Sequence, residues 1–201
     1  MIINAKIFKR SGMSGLIGLV VVCILAGCAA SAPEIRNKLD PSTGVTITYS
    51  SVPLIMYRED PAQAAFARNY VHVGPIQVNR SGNYQYFLWL GVWNNMQDLN
   101  STSHRDGLGS IVIFADGEPL SLEISGWTPD AIGTSEPVYL KPVASSADAY
   151  YRVTADQIRL IAEATDIRLR TSGAKPREFE PWDGQLAARN DLQEFLRRTL
   201  F

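Results

Sequence analysis

Cysteine and histidine are scarce in this chain, with two of each among 201 residues. Zinc and haem sites are assembled from such side chains, so the sequence offers little material for one. It also lacks an excess of charge of one sign: 19 Lys and Arg stand against 20 Asp and Glu. A nucleic-acid binder normally shows a basic patch or a high isoelectric point, and no nucleic-acid partner is expected here. No Gly-x-Ser-x-Gly elbow, phosphate-binding loop, His-Glu-x-x-His pair or dinucleotide fingerprint occurs. Internal repeats and low-complexity tracts are absent as well. What is present is ordinary globular material, 46% hydrophobic and 19% charged, which excludes a wholly disordered chain. The length fits one domain with a short appendage.

The composition hides two unlike parts. The first stretch carries Lys6, Lys9 and Arg10 and no acid. An uncharged apolar run, Leu16 to Ile24, follows and ends at Leu25-Ala26-Gly27-Cys28. A basic start, an apolar middle and small residues at the end form the layout of a secretory signal. A rival reading, an uncleaved anchor helix, needs about 20 apolar residues, and Gly12 to Ala30 approaches that. The ending separates the two. Leu25-Ala26-Gly27-Cys28 resembles the lipobox of bacterial lipoproteins. The resemblance covers the first 28 residues and implies cleavage before Cys28, whose sulfur carries a diacylglyceryl group. Leu25, Ala26 and Gly27 are then the residues the signal peptidase recognises, small enough at the cut for an extended backbone to be reached. In many such proteins the new amine is also acylated, and two or more chains make anchoring stable where one is marginal. Ala29 rather than Asp follows the cysteine. By the sorting rule of enteric bacteria this implies the outer membrane, facing the periplasm.

Cleavage would remove three basic residues and no acid, leaving 16 Lys and Arg against 20 Asp and Glu, a net charge of −4. Cys23 would leave with the signal and Cys28 would be blocked by lipid. The mature domain would then hold neither a free thiol nor a disulfide, which excludes a cysteine hydrolase and leaves stability to the core alone. The expected organisation is a signal peptide over 1–27, a lipidated cysteine and tether over 28–42, and a single β-rich domain over 43–201. The tether would reach about 3.3 Å per residue if extended.

From Gly44 to Val153 the pattern has period two and many turns, which reads as β. Strands are expected at 45–49, 53–57, 68–78, 84–93, 110–114, 120–124, 138–140 and 149–153, with one helical turn at 62–67. Both faces of 84–93 are apolar, as in a central strand covered on both sides. Arg80-Ser81-Gly82-Asn83 and Asp116-Gly117 are hairpin turns. Pro75 predicts a bend, bulge or edge. Thr154 and Gln157 form a capping-box pattern that opens a short helix, Ile167–Arg170 alternates as a strand, and Phe179 begins another. A final helix capped by Asp183 carries Leu186, Leu192, Phe195, Leu196 and Leu200 on one face, with Arg189, Asp191, Glu194 and Arg197 opposite. The fold class is mostly β (α+β): an antiparallel sandwich or partly open barrel, with one short helix and a C-terminal amphipathic helix packed on the sheet.

Two groups of residues could carry function. The loop around Asp98, Asn100, His104 and Asp106 is the most polar cluster, but its spacing departs from an EF-hand and lacks the terminal Glu. It reads first as a solvated loop. Tyr84, Tyr86, Trp89 and Trp93 could form an aromatic surface for a sugar or peptide, since such rings bury much area and carry a polar handle. The other reading of these rings is core packing. Tyr70, Trp127 and Trp182 add to the same pool. His72 alternates within a strand, and Arg168 and Arg170 read as a solvated strand face. No metal and no cofactor is expected beyond the covalent lipid on Cys28. The expected role is non-enzymatic: an envelope lipoprotein held to the membrane by its lipid and binding an envelope protein or glycan. The alternative is a lipid-tethered enzyme acting on cell-wall or carbohydrate material through carboxylates such as Asp98 and Asp106.

Overall fold

Alternation of apolar and polar side chains sets the strands, and their inward residues meet in one cluster. The computed structural model describes residues 34–96 and 105–199. Ten strands occur in order: β1 (Ile35–Leu39), β2 (Thr46–Ser50), β3 (Leu54–Glu59), β4 (Arg68–Arg80), β5 (Asn83–Asn94), β6 (Ser110–Ala115), β7 (Glu118–Gly126), β8 (Ala147–Val153), β9 (Ile167–Thr171) and β10 (Glu178–Pro181). Two helices, α1 (Ala155–Glu163) and α2 (Leu186–Thr199), fall in the last third. The mostly β, antiparallel expectation holds, and the pairings specify it further. Strands β4, β3, β10, β9, β6, β7, β8 and β5 follow one another, and β5 pairs back onto β4. An eight-stranded antiparallel barrel is thereby closed. Closure leaves no free edge around that ring.

The long hairpin of β4 and β5 organises the rest. Its turn is Ser81-Gly82, with φ of 51° and 88°, and the β6–β7 turn is Asp116-Gly117, with φ of 49° and 87°. Two-residue turns with positive φ at both positions match the twist of the flanking strands. The β4–β5 register is continuous through Gly74 and Pro75, without a bulge. On its other side β4 pairs with β3 from Arg68 to Val73 and with β2 from Ile76 to Asn79. Pro75 thus sits where the neighbour changes, a place where a missing ladder donor costs little. Strand β1 pairs with β2 outside the ring.

Inward residues Val71, Leu88, Leu90, Ile113, Leu169, Tyr151 and Phe179 pack with Ile158 and Ile161 of α1 and Leu192 and Phe195 of α2 in one cluster. A second cluster lies on the opposite face of β4 and β5. There Ile76, Val78, Phe87 and Trp89 are covered by Ile132, Val138 and Tyr139. Strand β5 is therefore buried on both sides, as its sequence predicts. Helix α1 opens with the expected capping box: the Thr154 hydroxyl accepts from Gln157 N at 3.2 Å, and the Gln157 side chain accepts from Thr154 N at 2.9 Å.

Several expectations are corrected. Residues 138–140 are not a strand; Val138 and Tyr139 are buried in an irregular segment that covers the second cluster. Residues 62–67 form turns rather than a helical turn. The domain's ordered strands begin at Ile35, inside the stretch read as tether. Helix α2 starts at Leu186, and Arg189 N donates to Gln185 O, so Asp183 lies outside its first turn. Its faces also differ from the simple stripe. Leu186 is 70% exposed, whereas Asp191 and Glu194 are buried. Asp191 accepts from Glu34 N and from the Ser50 hydroxyl, tying α2 to β1 and β2, and Glu194 pairs with Arg197 and Arg198.

Candidate functional site

Side chains that face outward from a barrel are normally polar, and on one part of this wall they are aromatic. Antiparallel register places Trp93 of β5 opposite Tyr70 of β4, and Tyr70 opposite Tyr57 of β3. Glu180 of β10 lies opposite Tyr57. Directly opposed residues on one face of a sheet are close enough to pack. The Trp93 and Tyr70 rings stack with centroids 4.5 Å apart at 18°. Trp182, just past β10, lies 5.1 Å from Tyr57 at 65° and 5.7 Å from Tyr70. Its position is fixed by the backbone, since Trp182 N donates to Ile55 O at 2.9 Å.

Charged groups frame these rings. The Arg68 guanidinium lies 5.4 Å from the Trp182 ring centroid and 5.7 Å from that of Tyr57, and it pairs with Glu59 at 3.3 Å. The Glu180 carboxylate, opposite Tyr57 in the ladder, raises that phenol above its ordinary value. His72 meets the edge of Trp93 at 6.1 Å, and burial pushes its imidazole down to about 4, so it is neutral at neutral pH. Two clefts share Tyr57. The larger, about 470 Å³, is lined by Arg58, Glu59, Arg168, Glu178 and Glu180 beside it. The smaller, about 140 Å³, is lined by Arg68, Trp182 and Asp183. Such a wall can stack a flat ligand face and donate and accept hydrogen bonds along its rim. Among the described residues no group of three or more His, Cys, Asp or Glu side chains is placed to hold a metal ion.

The residues expected from sequence are dispersed. Leu25, Ala26, Gly27 and Cys28 lie outside the described residues, as do Asp98, Asn100 and His104. Asp106 is exposed in a turn, where its carbonyl accepts from Arg177. The four aromatics of β5 do not make one surface. Tyr84 is 56% exposed near the hairpin turn. Tyr86 is half-buried, and its hydroxyl donates to Thr199 O at 2.9 Å. Trp89 is 1% exposed; it stacks on Tyr139 at 4.6 Å and donates to Asp148 at 3.0 Å, so it is core. Trp93 alone joins the outer group. Tyr57 and Arg68 escaped the sequence reading because their role depends on cross-strand register, which periodicity within one strand does not encode. Comparison with protein-family models, with curated proteins and with solved structures finds no match for this chain.

Proposed function

We propose that this chain is an envelope lipoprotein, anchored through lipid on Cys28 and serving a non-enzymatic binding role at the periplasmic face of the outer membrane. The observation that carries the reading is the order of its first 28 residues: Lys6, Lys9 and Arg10, then an uncharged apolar run, then Leu25-Ala26-Gly27-Cys28. The closed barrel supports the binding role, because its interior is filled by its own side chains while aromatic rings are collected on its outer wall.

Metabolic labelling with palmitate tests the anchor. The wild-type chain takes up label and fractionates with membranes. Cys28→Ala loses the label. Label retained in the variant, or none in the wild type, defeats the lipoprotein reading.

A further inference from the structure

We infer that the outer wall around Tyr57 and Trp182 is a binding site for an uncharged saccharide chain. The inference rests on the binding role proposed above and names its ligand. Trp182 is held beside Tyr57 and Tyr70 by its backbone bond to Ile55, with Arg68 over its ring, yet it is 37% exposed, so part of the indole stays open to solvent. An open, fixed indole is the partner that the apolar C–H face of a pyranose needs, since little entropy is lost on stacking. The two clefts that share Tyr57 bring both signs of charge to the rim: Arg58, Arg68 and Arg168 against Glu59, Glu178, Glu180 and Asp183. A strongly anionic ligand would face the four carboxylates, and a cationic one the three guanidiniums. A polyhydroxylated neutral ligand satisfies both sets, because each hydroxyl donates to a carboxylate and accepts from a guanidinium.

The same geometry disfavours a peptide that binds by adding a strand, which needs a free edge. Here β3, β10 and β9 are each paired on both sides within the closed ring. Two clefts that share Tyr57 leave room for more than one sugar unit.

The test uses the full chain in detergent and follows tryptophan fluorescence during titration with triacetylchitotriose, cellotriose and maltotriose, with an unstructured neutral hexapeptide in parallel. At least one trisaccharide is expected to shift the emission in the millimolar range or below, and the peptide is not. Trp182→Leu keeps apolar bulk without the ring and is expected to weaken binding about tenfold or more, read by calorimetry, with the thermal midpoint showing that the fold is kept. Tyr84→Ala, an exposed ring elsewhere, is expected to bind as the wild type does. Should Trp182→Leu fail to fold, Glu180→Gln serves, with weakened binding expected from the lost acceptor. The inference is overturned if no trisaccharide binds, if the peptide binds as well as the best of them, or if the folded variant binds unchanged. Because this assay is blind to acylation, its failure leaves the anchor standing, and loss of palmitate label leaves the saccharide site standing.

Discussion

Gly74 shows how one missing side chain organises two layers. The Tyr139 ring lies directly on it, so a Cβ there would run into the ring. That ring is fixed three ways: it stacks on Trp89, meets Tyr49 edge-on at 5.4 Å, and its hydroxyl donates to Pro75 O at 2.9 Å. The last bond satisfies a carbonyl just where β4 passes from β3 to β2. Gly74→Ala is therefore expected to cost ~1–3 kcal/mol in urea unfolding, as overpacking does. Combining it with Tyr139→Leu should cost less than the two single changes together, because the shorter side chain removes the clash. Strict additivity would show that the two residues do not meet. His72 gives the pH dependence. Its pKa is about 4 in the fold and ~6.5 when unfolded. The unfolded chain alone binds the proton between those values, so stability is full above pH ~6.5 and declines as pH falls toward 4. Partial exposure limits the effect to about 2 kcal/mol. His72→Gln is expected to flatten the stability profile in that window; an unchanged slope would assign it to other groups.

At the scale of elements, legibility followed the range of the interaction that sets each one. The start of helix α1 was readable to the residue because it depends on two side chains three positions apart, Thr154 and Gln157. Thr154→Ala should cost about 1 kcal/mol, seen as a lower urea midpoint with the same slope. The two-residue turns were readable for the same local reason. Helix α2 was readable as a helix but not in its faces. Asp191 and Glu194 look like solvent residues until Ser50, Glu34 and Arg198 are brought to them from elsewhere or from the next turn. Residues 138–140 failed in the opposite direction. Val138 and Tyr139 are apolar because they cover β4 and β5, and an apolar triplet that covers a sheet has the composition of a strand within one. The candidate site was least legible of all. Trp93, Tyr70, Tyr57 and Trp182 come from four different segments, and the register of β3, β4 and β5 brings them together.

Across the whole molecule, closure of the barrel depends on its shortest strand. Strand β10 has four residues, and through Glu180–Tyr57 and Phe179–Leu169 it joins the early strand β3 to β9. Two pairs on each side are a thin seam, and ladder hydrogen bonds contribute only about 1 kcal/mol each. Packing must hold the seam shut, and Phe179 supplies it: the side chain is 1% exposed and sits in the central cluster with Leu169 and Phe195. Its neighbour Glu180 faces outward, where removing a charge changes stability by less than about 0.5 kcal/mol. Phe179→Ala is accordingly expected to cost ~3–5 kcal/mol, and Glu180→Gln almost nothing. The slope of ΔG against urea carries the further information. If Phe179→Ala leaves only a cavity, the midpoint falls and the slope stays, because the same surface is exposed on unfolding. If the seam opens, part of the wall is already solvated in the folded state and the slope falls too. The two short ladders predict the second outcome, and a slope equal to that of the wild type would show that the ring stays closed without this side chain.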